Sequence, residues 1–484
     1  MAGSQTRSAL LLCLTMLRLY SASAIGVNWG TSFSSQPLPP PKVVELLRSN
    51  NVTSVRLSEP DPSVMEALIG SGIRVALGVP DSALQGLNSS RKAAEGWVHD
   101  NVTRYFSDGS SPGFRIEYVV VGDEPFLQTN NQQFQPFIIG AATNIHQALV
   151  GAKLSTRIKV IVPCSHDAFN TTSPLPSKAR FRPDLNKTMT QILTFLTKQN
   201  SPFLVDLNPY ATFHERKNSP LDFSLFHPTA RPLTDGHNTY KNSFDASIDS
   251  LVASLSALGF PDIDIMVGKI GWPTDGAVNA TKRIAETFMK GLVEHLKSNS
   301  KTPLRPRKPV LDVYVFSLLD EDRRSVASGD YERHWGVFTF DGQAKYELDL
   351  GQGPQKKLSN AHDVEYLMQR WCVANNNNGD LSNASQSMNA ACAASDCTAL
   401  SPGGSCARVG WPGNASYAFN SYYQGHGQGV GTCDFGGLGM ITTVDPSVDE
   451  CRFMVGLRTS WSAGRLRGAE TILLVLTVVV VLVL

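Results

Sequence analysis

Excess charge, metal-ligand spacing and a membrane-length apolar run are all missing from this chain of 484 residues. Its 43 basic and 42 acidic side chains leave a net charge of +1, so there is no electrostatic footprint for a nucleic-acid partner. No Cys-x-x-Cys pair occurs, which argues against zinc, and no metal is expected. No glycine-rich phosphate loop follows the first apolar segment. That absence argues against a doubly wound nucleotide-binding sheet, and no organic cofactor is expected. Residues 25–350 contain one cysteine, Cys164, in the apolar run 158–164. It reads as a buried free thiol rather than a catalyst.

The two ends differ from the middle. Arg7, the apolar run 9–17 and the small residues Ser21-Ala22-Ser23-Ala24 make a secretory signal over 1–24. The run is too short to span a bilayer. At the other end, residues 471–484 are apolar throughout, behind a polar spacer, 465–470, and the small residues Ser462-Ala463-Gly464. That order is the pattern of a glycolipid (GPI) anchor signal, with Ser462 the expected attachment residue and Ala463 and Gly464 its rivals. A tail-anchored helix flanked by Arg465 and Arg467 is the alternative. The expected location is the outer face of the plasma membrane and the cell wall. Sequons at Asn51, Asn88, Asn101, Asn170, Asn186, Asn279, Asn383 and Asn414 fit an exported glycoprotein.

Six cysteines crowd the C-terminal region: Cys372, Cys392, Cys397, Cys406, Cys433 and Cys451. An even set in an exported chain implies a small disulfide-stapled domain, and spacing alone leaves its pairing open. The Gly-, Gln- and Lys-rich stretch 351–359 has linker composition. The expected organisation is therefore a large module over 25–350, a linker over 351–369, a six-cysteine α+β module over 370–455, and a spacer with anchor signal over 456–484.

In the large module, β-branched runs at 25–30, 52–57, 74–79, 116–122, 158–162, 203–208, 263–268 and 311–318 read as buried strands. Segments such as 41–49 and 242–258 between them carry helical apolar spacing. Eight strands alternating with helices predict an α/β fold, a (β/α)8 barrel. Chemistry in such a barrel sits at the C-terminal strand ends. Those ends read Asp123-Glu124, Asn208-Pro209-Tyr210, Lys269-Ile270-Gly271-Trp272-Pro273 and Asp320-Glu321. Carboxylates that hold hydroxyls and move protons, beside aromatic faces that stack on rings, are what a sugar site needs.

These segments resemble glycoside hydrolase family 17, the plant endo-1,3-β-glucanases. Ile25-Gly26-Val27-Asn28-Trp29-Gly30 resembles the family's first strand, and Ser71-Gly72-Ile73 with Gly78-Val79-Pro80 its third. Val121-Gly122-Asp123-Glu124 is similar to the strand-4 motif, which implies Glu124 as the acid/base. Gly268-Lys269-Ile270-Gly271-Trp272-Pro273 is similar to the strand-7 signature. Phe316–Glu321 and His334-Trp335-Gly336-Val337-Phe338 resemble the strand-8 region. The resemblance implies β-1,3-glucan as the polymer, and substrate contacts from Trp29, Asp123, Tyr210, Trp272, Glu321, Arg324 and Trp335. The small module resembles the X8 (carbohydrate-binding family 43) domain through Trp371-Cys372-Val373-Ala374, residues 415–424 and Cys433-Asp434-Phe435-Gly436. That family's pairing would join Cys372 to Cys433, Cys392 to Cys397 and Cys406 to Cys451. Tyr417, Tyr422 and Tyr423 are candidate stacking surfaces, with Phe419 assigned to the core. A monomer is expected.

One residue breaks the pattern. The family mechanism needs two carboxyl groups roughly 5–5.5 Å apart. Where the nucleophilic Glu belongs, this chain has Lys269. An ammonium has no lone pair to attack with, and it places positive charge beside an oxocarbenium-like transition state. Lys269 is expected to pair with Glu124 and keep it ionised. Asp123 replaces the family's usual Asn and cannot donate a hydrogen bond when ionised; Arg324 replaces Lys. Two functions are therefore expected to compete: a retaining endo-1,3-β-glucosidase, and a glucan-binding wall protein that does not cut.

Overall fold

Short β-branched segments bury both faces, and the helices between them bury one stripe each; a closed parallel sheet wrapped in helices satisfies both. The computed structural model describes residues 24–458, apart from 171–172, 216–219, 299, 311, 352–356, 378–379 and 381. Eight parallel strands form the barrel: β1 (Ala24–Trp29), β2 (Ser54–Leu57), β3 (Arg74–Val79), β4 (Arg115–Val121), β5, β6 (Phe203–Asp206), β7 (Ile265–Ile270) and β8 (Asp312–Val315). Strand β5 has two segments, Lys159–Ile161 and Pro163–Ser165. The first pairs with β4 and the second with β6. Pro163 brings no N–H to the ladder, and there the strand changes partner. The ring closes where β1 pairs with both β2 and β8. The fold is thus the (β/α)8 barrel that the alternation predicted.

Helices form where the spacing placed them. Pro40–Ser49 buries Val43, Val44, Leu46 and Leu47. Ser243–Ala257 is capped by the Asn242 side chain, which accepts the Asp245 N–H at 2.8 Å. One strand is shifted by two residues from the expected 263–268. β7 runs on to Ile270, because the Lys269 carbonyl accepts the Leu207 N–H at 2.8 Å and the Ile270 carbonyl that of Phe316 at 2.8 Å. Lys269 is therefore fixed inside a strand. Cys164 is buried and in no disulfide.

The C-terminal module pairs β9 (Trp371–Ala374) antiparallel with β10 (Gly439–Thr442) and packs helices Ala384–Ala394 and Gly413–Gly425 on them. Its bridges join Cys372 to Cys433, Cys392 to Cys397 and Cys406 to Cys451, the pairing that the resemblance implied. Phe419 is core, stacked on Phe435 with centroids 4.0 Å apart. Tyr423 is core as well, at 2% exposure, so it offers no stacking face; Tyr417 and Tyr422 are half-buried.

The modules touch along the top of the barrel. Arg333 pairs with Asp396 at 3.2 Å, and His334 Nε2 lies 2.6 Å from the Thr398 hydroxyl. Asp275 accepts the Ser405 N–H at 2.7 Å, and Gln36 Oε1 the Leu457 N–H at 2.7 Å. Much of the expected linker is docked rather than free. Ser359 exchanges hydrogen bonds with Asn50, and the Tyr366 hydroxyl donates to Asp341 at 2.8 Å. The signal, Ala24 apart, and the anchor residues Ser462, Ala463 and Gly464 lie outside the described residues.

Cys406 and Cys451 are 45 residues apart. Loop-closure entropy for that span makes the bridge worth about 4 kcal/mol. Replacing both by Ala is expected to lower the calorimetric unfolding temperature of the C-terminal module; an unchanged transition would refute that assignment of stability.

Candidate active site

Charged residues in otherwise apolar strands gather at the C-terminal end of the barrel. Arg56 on β2 is 2% exposed and holds Asp206, the last residue of β6, at 2.7 Å. Its other nitrogen reaches Asp123 Oδ1 at 3.4 Å. Gly268 makes room for the Arg56–Asp206 pair, since a Cβ there would collide with both partners. Asn28 on β1 ties three strands by donating to the carbonyls of Gly268 at 2.9 Å and Val315 at 3.1 Å.

Lys269 stands at the centre. Its Nζ lies 2.9 Å from Asp123 Oδ1, donates to Glu124 Oε1 at 3.1 Å, and sits 4.0 Å from Asp206 Oδ2. Burial disfavours the ammonium, but Asp123, Glu124 and Asp206 outweigh it and raise its pKa. The partners respond in kind. Lys269 draws the Glu124 carboxyl below the ordinary range against the opposing effect of burial. Burial works against ionisation of Asp123 too, but Lys269, Arg56 and Arg324 pull it down to about 2. Asp206 goes the other way: burial pushes it up despite Arg56 and Lys269, and its Oδ2 has no hydrogen-bond partner among the described residues. At neutral pH the centre is therefore an ammonium held by the ionised Asp123 and Glu124.

Two supports hold this geometry. Asp81 accepts the backbone N–H groups of Asp123 at 2.9 Å and Glu124 at 3.2 Å, which fixes the end of β4. Burial pushes Asp81 up to about 6 despite these bonds. On the β8 side, Arg324 donates to Glu321 at 2.8 Å and lies 4.6 Å from the Phe316 ring centroid; Lys269 Nζ is 5.4 Å from the same centroid. Glu332 accepts from the Trp335 indole at 3.1 Å. Burial raises the Glu332 carboxyl, Arg324 opposes that, and the nearby charge of Glu124 adds to it.

The structure brings Asp123, Glu124, Lys269, Glu321 and Arg324 together. The aromatic residues are placed differently from the expectation of an exposed groove. Trp29, Tyr210, Trp272 and Trp335 are 3%, 2%, 1% and 5% exposed. Tyr210 meets Trp272 edge-on at 5.4 Å and spends its hydroxyl on the Val278 carbonyl at 2.8 Å, while the Trp272 indole donates to the Asn279 carbonyl at 2.9 Å. These rings pack the wall under the site rather than presenting faces. Among the sequons, Asn51, Asn186 and Asn383 are exposed and Asn88, Asn101, Asn279 and Asn414 half-buried; the Asn170 side chain lies outside the description.

Sequence reasoning missed Arg56, Asp81, Asp206 and Glu332. For two of them a signal existed: Arg56 interrupts Ser-Val-Arg-Leu and Asp206 closes Phe-Leu-Val-Asp, each a charge in a run that burial otherwise reserves for apolar side chains. Glu332 lies in the short helical turn Asp330–Arg333, where spacing carries no information about the barrel axis.

A barrel with an acidic cluster on its C-terminal face and a disulfide-stapled second module has the build of a polysaccharide-acting glycoside hydrolase. Comparison narrows the class: the pattern of Glycosyl hydrolases family 17 matches residues 25–350, and the chain belongs to that family. The X8 domain pattern matches residues 370–440. The chain is 56% identical over 442 residues to Glucan endo-1,3-beta-glucosidase 9 of Arabidopsis thaliana, covering 91% of each. It is 42% identical to Glucan endo-1,3-beta-glucosidase 8 of the same plant, covering 90% of each. Among solved structures it is similar to CJP38, a beta-1,3-glucanase and allergen of Cryptomeria japonica pollen, at 34% identity and a TM-score of 0.62, covering 67% of this chain and 98% of that one.

Lys269→Met would strip Asp123, Glu124 and Asp206 of their shared counter-charge. We expect a stability loss of about 3 kcal/mol at neutral pH by chemical denaturation. In the parent, the lowered carboxyls contribute stability above their unfolded pKa that is lost as pH falls through the folded values. In the variant those carboxyls rise, so acid relieves them. The gap between the two proteins should therefore narrow toward about pH 4; a constant gap would contradict the pairing.

Proposed function

We propose that this is an exported, surface-tethered β-1,3-glucan-binding protein whose family 17 barrel holds the polymer without completing its hydrolysis. The observation that carries this reading is the Lys269 ammonium, 2.9 Å from Asp123 and 3.1 Å from Glu124. Retaining cleavage needs an electron pair at the anomeric carbon and a protonated acid at the leaving oxygen. Lys269 offers no lone pair, and its charge keeps Glu124 ionised, so both requirements fail at one residue. The rest of the polar cluster, Asp123, Glu321 and Arg324, suits sugar hydroxyls. Support for the polymer comes from the names of the relatives and from the X8 module. Support for surface attachment comes from the sequence ends: an N-terminal secretory signal, then Ser462 before a greasy C-terminal tail that a glycolipid would replace. The glycan sites and a monomeric state belong to the same reading.

One observation favours a second reading, hydrolysis through a substitute carboxylate. Asp206 and Glu332 both lie in the charged cluster with carboxyls raised by burial.

The test compares the chain as written with Lys269→Glu on soluble β-1,3-glucan, reading new reducing ends. The substitution exchanges repulsion for attraction at the transition state, a difference of several kcal/mol, and should raise the rate by at least ~10³-fold. The parent should bind insoluble β-1,3-glucan and release nothing above a blank. Equal rates for the two proteins would overturn the binding-only reading in favour of the second.

A further inference from the structure

The seam between the modules is not packed shut. A cavity of about 870 Å³ lies between the top of the barrel and the C-terminal module, within the size range of small-molecule sites. Around it, directed contacts hold the modules together: Arg333 to Asp396 at 3.2 Å, Ser405 to Asp275 at 2.7 Å and Leu457 to Gln36 at 2.7 Å. Protein interiors ordinarily fill such gaps with side chains. Here the walls meet at the edge and stand apart in the middle.

We propose that this cavity is a second β-1,3-glucan-binding site, built jointly by the barrel and helix Gly413–Gly425 and separate from the Lys269 cluster. The proposal rests on the reading of the chain as a glucan-binding protein and adds a site to it. Neither Lys269 nor Glu124 lines the cavity. Its walls carry charges of both signs together with amides and hydroxyls, Gln343, Ser34 and Ser421 among them. Mixed donors and acceptors without a dominant charge suit a neutral polyol better than an anion or cation. Flat surfaces come from Phe340 and from His426, which stacks on Tyr422 with centroids 3.9 Å apart. Tyr417, on the same helix, also lines the space. The location also fits a chain passing between sites. Asp320 lines the cavity, and the next residue, Glu321, is tied to Arg324 beside the Lys269 cluster. A polymer held at the Lys269 cluster and leaving along the β8 end would enter the seam.

The experiment follows hydrogen exchange of the full chain with and without a β-1,3-linked glucohexaose. Both walls, 34–36 and 417–426, should gain protection. Ser34→Trp, which fills the space without removing a side-chain hydrogen bond, should abolish that protection and weaken hexaose binding to the seam at least tenfold. Ser34→Ala should keep both. Hexaose binding without protection of the walls would overturn the second site and leave the glucan-binding reading standing. Failure of both the hexaose and insoluble glucan to bind at all would overturn both. Protection by an oligogalacturonate but not by the hexaose would mark an anion site and overturn the proposal.

Discussion

The centre of this protein is held by cations set among acids, with Lys269 in the middle. Lys269 satisfies Asp123 and Glu124 directly, and the third carboxylate, Asp206, is held mainly by Arg56. Take the ammonium away and Glu124 loses its ion pair, while Asp123 and Asp206 are left to Arg56. Several features that look independent share this constraint: the room left at Gly268, the Asp81 clamp on the β4 end, and the ring of Phe316 close to both Lys269 and Arg324. The site is consistent with itself as an ion-paired structure. Where resemblance to the family implied a carboxyl, the end of β7 carries a salt-bridged lysine.

On the proposed reading, that lysine separates recognition from reaction. Holding a polysaccharide needs hydroxyl partners, and in the proposed reading Asp123, Glu321 and Arg324 supply them. Breaking a glycosidic bond needs two carboxyls in opposite protonation states, and on the reading proposed above the Lys269 contact removes both conditions. The C-terminal module is placed accordingly. It is docked against the same top face rather than strung on a free linker, through contacts to the loops that follow β1, β7 and β8.

Much of this was legible in the sequence because burial leaves a periodic trace. All eight strands announced themselves as β-branched runs, and the positions of Glu124 and Lys269 followed from where those runs stop. The disulfide pairing was legible only through resemblance, since spacing left it open. What stayed hidden is what depends on three-dimensional closure. Whether Tyr210 or Trp272 shows a face or fills a wall is decided by residues far away in the chain, and both turned out to be wall. Arg56 and Asp206 stand 150 residues apart, and only closure of the barrel makes them partners. The shift of β7 toward Ile270 came from bonds to neighbouring strands that no local pattern encodes.

The account stands on the claim that no residue of this chain can attack the anomeric carbon. The most direct measurement is covalent trapping with a 2-deoxy-2-fluoro β-1,3-glucosyl fluoride, a reagent that leaves a sugar on any working nucleophile, read by intact mass. The account predicts an unchanged mass for the chain as written. A stable adduct, mapped by peptide digestion to Asp206 or Glu332, would contradict it.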